Sequence, residues 1–283
     1  MIKIGCGTVV FREFELERAL EAIREIGYEY IETQAVGPWC PHVDVRKDDP
    51  VRFADLVKSY GFKGVTGLWM PDGNMVTNAN SVESGILAIR WADAAGIPVV
   101  HTGDGHVPDG MDEDVAYENI RRTLDGIIEG TPDGKAVLGF EPHGALSLTG
   151  KGLQRIMAMA PADRLGVNYD AANIVRGGYV ESAGVTEETT DSGYKGIEND
   201  EREDEVLQAI ADRVVHFHTK DLDPDYNCVP LGDGIVKNRA CYEILERAGY
   251  SGAFSLETEG GLDFEASCAL AAKSYQWMVE NLK

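Results

Sequence analysis

The chain has 283 residues, near the size of a (β/α)8 barrel, with no compositional break that would mark a second core, so one domain over residues 1–283 is expected. Its formal net charge of -22 repels phosphate backbones and anionic lipid, which argues against nucleic acid and membrane surfaces as partners. No apolar run nears the roughly 20 residues of a bilayer span and no signal peptide is legible after Met1; five scattered cysteines, Cys6, Cys40, Cys228, Cys241 and Cys268, form no Cys-x-x-Cys pair, so a reduced cytoplasmic setting is expected.

Short strand-like runs alternate with amphipathic stretches eight times, the pattern of βα units around a closed parallel sheet. Strands are expected near residues 2–6, 29–33, 63–69, 98–102, 136–142, 165–170, 214–219 and 253–258. After the first, Leu16 to Ile26 places apolar residues at helical spacing and Gly27 stops the helix. Three connections are long: 34–49 with Trp39 and His42, 70–80 with Pro71-Asp72-Gly73-Asn74, and 171–200, rich in Gly, Thr and acid. On a barrel they share the catalytic face, as walls or lids. The acidic run between Glu181 and Glu205 reads as a solvated loop and helix face.

Four late strands end on metal-capable groups: Glu141, Asp170, His218 and Glu257. In a barrel of parallel strands the reactive groups sit at the carboxyl ends, so these four aim at one small volume. Three carboxylates and an imidazole form a hard donor set for one divalent metal ion, Mn²⁺ first, with Mg²⁺, Co²⁺ or Zn²⁺ as alternatives. Without a cation, such crowded carboxylates would cost several kcal/mol.

Side chains two apart on a strand share a face, so His143 stands one level above Glu141, and His216, His218 and Lys220 all point inward. His216, the deepest, reads as a hydrogen-bonded core histidine. His143 is either a base or hydroxyl partner near neutral pH or the anchor of a loop. Lys220 either binds a substrate hydroxyl, carboxylate or phosphate or pairs with Asp221 or another acid. His101 closes the fourth strand facing the mouth, as a substrate contact. Trp39 and Trp69 lie just beyond strand ends, where a flat ring stacks on a sugar face, while Trp91 and Trp277 fall in helical patterns and read as core. Gly5-Cys6-Gly7 and Gly103-Asp104-Gly105 are not phosphate loops, and no nucleotide cofactor is implied.

Phe140-Glu141-Pro142-His143, Asn168-Tyr169-Asp170 with Asn173, His216-Phe217-His218-Thr219-Lys220-Asp221, Val229-Pro230-Leu231-Gly232-Asp233-Gly234 and Leu256-Glu257 together resemble the xylose isomerase-like TIM barrels, a superfamily of sugar phosphate isomerases and epimerases, inosose dehydratases and ketose 3-epimerases. The resemblance runs over most of the chain. It implies a xylose isomerase-like (β/α)8 TIM barrel with Glu141, Asp170, His218 and Glu257 as ligands of one metal. In the similar ketose epimerases the two metal-bound glutamates exchange a proton beside a carbonyl through an enediolate, which assigns Glu141 and Glu257 the acid and base roles. Those epimerases carry His three residues after the aspartate, where this chain has Asn173, so hydrogen bonding to substrate differs there and His143 stands in as the further catalytic candidate.

The function expected is a metal-dependent sugar or polyol isomerase or epimerase, with Glu141, Glu257 and His143 catalytic and His143, Lys220, Trp69, His101 and Asn173 on the substrate. The same proton abstraction also serves a dehydratase of the inosose type or a lyase of 3-oxo-glycosides, C-glycosides included. Remoter alternatives are a non-catalytic sugar-binding or accessory subunit and a DNA-repair endonuclease, for which the chain lacks the histidines of a three-metal cluster. The partner is a small sugar, polyol or glycoside, and assembly is either homo-oligomeric or in a hetero-complex.

Overall fold

Apolar runs rich in Val, Ile, Leu and Phe form eight parallel strands, and the helices between them return the chain to the start of the next. The computed structural model describes residues 2–177 and 201–282. The strands are β1 Lys3–Gly7, β2 Tyr30–Gln34, β3 Gly64–Asn74, β4 Val99–Gly103, β5 Val137–Glu141, β6 Leu165–Asp170, β7 Val214–Thr219 and β8 Ala253–Leu256. Each pairs in parallel with its neighbours in sequence, and β8 closes the cylinder on β1 through pairs running from Lys3 with Ala253 to Cys6 with Leu256. Among the described residues no helix is long and apolar enough to cross a membrane.

Alternation along the strands sorts the side chains. Phe140, Tyr169, Phe217 and Phe254 are fully or nearly fully buried between barrel and helices, with Phe217 5.3 Å from Phe254 and 5.5 Å from Tyr242, ring centre to ring centre. Each such side chain withdrawn from water stabilises the fold by about 1.5–3 kcal/mol. Their sequence neighbours Glu141, Asp170 and His218 are thereby turned inward. Helix α1 spans Leu16–Ile26 and ends at Gly27, whose φ of 120° suits glycine.

Two connections differ from the sequence expectation. Residues 70–74 continue β3 instead of looping away, because Thr102 Oγ1 donates to the Gly73 carbonyl and Met75 N–H to the Gly103 carbonyl, tying the segment to β4. After β6 the chain makes a short helix, Ala171–Arg176, because Asp170 Oδ1 accepts from the amides of Ala172 and Asn173 at its start. The rest of the connection expected at 171–200, with most of the acidic run, lies outside the described residues. At the end of that run Glu203 is buried and accepts from the Lys237 amide, so this acid is structural and not solvated.

Asp221 organises the loop after β7. Its Oδ2 accepts from the amides of Gly232 and Gly234, and its Oδ1 from those of Leu222 and Val236. A Cβ on Gly234 would stand 2.2 Å from Asp221 Oδ1, so the carboxylate and the glycine need each other. Asp221→Ala strands four amides beside the barrel mouth and should cost roughly 3 kcal/mol in urea unfolding; a loss below about 1 kcal/mol would show that the loop finds other partners.

Candidate active site

β5, β6, β7 and the residue after β8 deliver Glu141, Asp170, His218 and Glu257 to the carboxyl end of the barrel, all nearly fully buried. One donor atom each from Glu141, Asp170 and His218 lies within 4.8 Å of the others. Glu257 stands outside that group of three but reaches it through Lys220, whose Nζ is 3.0 Å from Asp170 Oδ2, 2.6 Å from Glu257 Oε2 and 3.0 Å from Glu259 Oε1. Lys220 therefore pairs with three neighbouring acids rather than with Asp221.

Every carboxylate here has one oxygen tied to the scaffold or to a fixed amide. Asn173 Nδ2 and Asn168 Nδ2 each donate to Glu141 at 2.8 Å, to Oε1 and Oε2 respectively. Gln34 Nε2 donates to Glu257 Oε1 at 3.1 Å, and Asp170 Oδ1 caps the helix that follows. Asp170 Oδ2 and Glu257 Oε2, the oxygens facing Lys220, are buried without an aligned hydrogen bond. Hard oxygens held in place with lone pairs to spare, plus one imidazole nitrogen, suit a divalent cation.

Below this ring lies a second layer. His218 turns Nδ1 toward Glu141 Oε2 at 3.1 Å and Nε2 toward Glu32 Oε1 at 2.8 Å. Glu32, on β2, is fully enclosed, and His101 and His216 flank it at 3.6 Å and 3.7 Å. Strand register pairs His101 with Gly139, two residues short of Glu141, so His101 sits one layer beneath the mouth and not on its surface. β4 runs on to Gly103, which carries the His101 ring, expected to face the mouth as a substrate contact, inside the barrel beside Glu32. His216 is hydrogen-bonded through both nitrogens, to Asn168 Oδ1 at 3.0 Å and to Thr66 Oγ1 at 3.1 Å.

The charges shape one another. Burial, and behind it the charges of Asp170 and Glu257, pushes Glu141 up to about 7 against the pull of His218. Burial works against a charged His218, yet Glu32 and Glu141 hold it well above its ordinary range. Lys220 is likewise held well above its usual range, against burial, by Asp170, Glu257 and Glu259. Burial, with the Lys220 charge behind it, lowers His143 to about 4, so at neutral pH its ring is uncharged rather than poised near its ordinary value. His143 is half-buried, its ring 5.2 Å from that of Trp69. Trp39 carries the Arg12 guanidinium 4.5 Å over its ring.

Sequence reasoning passed over three members of the site. Glu32 and Gln34 share the inward face of β2, and Glu259 receives Lys220, Arg176 at 2.6 Å and the Cys228 thiol. The two-residue alternation that ordered β7 would have found the first two.

Residues 20–280 match the xylose isomerase-like TIM barrel family. A 73-residue stretch is 34% identical to L-ribulose-5-phosphate 3-epimerase UlaE of Salmonella paratyphi A and covers 25% of this chain and 25% of that protein. Among solved structures, a D-tagatose 3-epimerase-like protein superposes with a TM-score of 0.74 at 21% identity over 99% of this chain and 97% of its own. The 3-keto-D-glucoside 4-epimerase YcjR of E. coli does so with a TM-score of 0.73 at 14% identity, over 99% and 100%.

A cation at this mouth requires Glu141 as carboxylate and His218 without its extra proton, so binding expels protons that the ion-free chain holds at pH 7 and below. Affinity therefore rises with pH through about 7. Isothermal titration with Mn²⁺ should give at least about tenfold tighter binding at pH 8 than at pH 6; equal affinities would contradict the raised Glu141.

Proposed function

The chain belongs to the xylose isomerase-like TIM barrel family, and on that premise we propose that it is a divalent-metal-dependent sugar isomerase or epimerase acting on a ketose or a keto-glycoside. The observation that carries this reading is the meeting of Glu141 and Glu257, two buried carboxylates able to move a proton, at one mouth with Asp170 and His218. The 3-epimerase named for the matched relative, and the epimerases among the similar folds, agree with it.

Glu141, Asp170, His218 and Glu257 would hold the ion, which polarises a carbonyl of the sugar and so acidifies the adjoining C–H bond. Asn168 and Asn173 fix both oxygens of Glu141, so its orientation toward that carbon is set before substrate arrives. Burial raises it to about 7 in the ion-free chain, and with the ion bound it would be the carboxylate, the form that takes the proton. Glu257, oriented by Gln34, serves the opposite transfer from β8, with β6 and β7 lying between the two. Lys220 supplies a positive charge for a substrate oxygen, and Trp69 offers a ring face beside His143.

His143 favours a second reading, elimination by a dehydratase or a 3-oxo-glycoside lyase. With its pKa lowered to about 4 its ring is uncharged at neutral pH, so it would serve as a third proton acceptor beside the two glutamates.

Incubation in D₂O with Mn²⁺ and a panel of ketoses and 3-oxo-glycosides, followed by NMR, separates these readings. Deuterium at an inverted carbon supports epimerisation; release of water or aglycone supports elimination; neither uptake nor release with any substrate would overturn both. Glu141→Gln and Glu257→Gln should each slow exchange at least about 100-fold with circular dichroism unchanged. Near-normal exchange in either variant would remove that residue from the proton transfer.

A further inference from the structure

The layer beneath the mouth holds more metal-binding chemistry than one rim ion uses. Donor atoms from Glu32, His101, His216 and His218 all lie within 4.8 Å of one another, and all four side chains are 0–1% exposed. Glu32 is the hub: its Oε1 is 2.8 Å from His218 Nε2 and 3.6 Å from His101 Nε2, and its Oε2 is 3.7 Å from His216 Nε2. We propose that this enclosed layer is a second divalent-metal site, in which Glu32, His101 and His216, with Nε2 of His218, hold a borderline cation such as Zn²⁺ or Co²⁺.

Three observations point there. Both ring nitrogens of His101 and Oε2 of Glu32 are buried without a hydrogen-bond partner, an arrangement that native interiors rarely leave uncompensated. The barrel also makes room for the His101 ring. A Cβ on Gly67 would stand 1.9 Å from its Nε2, and one on Gly139 would stand 3.2 Å from its Nδ1. At Gly67 the space is opened by a bulge: the pairs Ile31 with Val65 and Thr33 with Leu68 give β3 one extra residue there. Finally, three imidazoles and one carboxylate form a nitrogen-rich set, in contrast to the oxygen-rich rim, and the two sets favour different ions.

The two donor sets share only His218, whose Nδ1 faces the rim and whose Nε2 faces Glu32, so the inference stands apart from the proposed reaction. To take the ion, His216 exchanges its contact with Thr66 Oγ1 for a metal bond. Glu32 supplies one negative charge, and with both ions bound His218 would bridge them as imidazolate, its ring protons released to solvent.

The test uses cobalt alone. Metal-free protein is loaded with Co²⁺ both in the folded state and during refolding, because the layer is enclosed, then dialysed and assayed by elemental analysis and visible spectroscopy. Wild type should retain two equivalents, one of them with the intense ligand-field band of a low-coordinate, nitrogen-rich site. Asp170→Asn should lose the rim equivalent and keep that band, whereas His101→Asn and Glu32→Gln should lose the band and keep one equivalent. Absence of that band from wild type under both loadings would overturn the proposal, and that measurement needs no variant to fold. So would a band that survives in folded His101→Asn; the four groups would then be a hydrogen-bonded network that orients His218. Loss of the rim equivalent alone would count against the proposed reaction and leave the deep site standing.

Discussion

Like charge brought to one point is the constraint that governs this molecule. Glu32, Glu141, Asp170, Glu257 and Glu259 converge inside one barrel end, where the low dielectric multiplies their repulsion. Among the described residues His218 and Lys220 stand between them, and Arg176 closes the outer side on Glu259. The response to this crowding is local. Glu141 is driven up toward neutrality, while the three imidazoles around Glu32 outweigh burial and hold it well below the usual carboxylate range.

That division of labour is set by the strands. β7 places His216 and His218 on one face, two residues apart, so one histidine serves the buried layer and the other joins both layers. β6 does the same with Asn168 and Asp170, and its register brings Asn168 level with His216 and Asp170 level with His218. Asn168 thereby touches Glu141, His218 and His216 together, the amide around which the two layers are assembled. Outward neighbours such as Tyr169 and Phe217 anchor these strands under the helices, so apolar packing fixes the polar geometry.

Much of this was legible in the chain. The alternation of apolar runs with helical stretches described the closed barrel that is found, and Gly27 ended the first helix where expected. Val, Leu and Phe immediately before Glu141, Asp170 and His218 exposed the strands that carry them. What escaped depended on relations between strands. The strand at 29–33 was legible, but which of its faces turns inward was not followed through Tyr30-Ile31-Glu32-Thr33-Gln34, so Glu32 passed unnoticed although it touches three histidines. The depth of His101 depends on how far β4 runs beside β3 and β5, and no periodicity within β4 encodes that stagger. Pro71-Asp72-Gly73-Asn74 carries the composition of a turn, and Asp72 does take a φ of 53° where the register slips, yet contacts with Thr102 and Gly103 keep the segment in β3, a tertiary override of local preference.

The central claim is that Glu141, Asp170, His218 and Glu257 share one cation, which takes over from Lys220 the neutralisation of Asp170 and Glu257. An anomalous-difference map collected at the manganese absorption edge from crystals grown with Mn²⁺ tests it directly. The account predicts a peak bonded to all four side chains, with the Lys220 ammonium withdrawn from Asp170 Oδ2. A map with no peak there, and Lys220 still clasping both carboxylates, would contradict it.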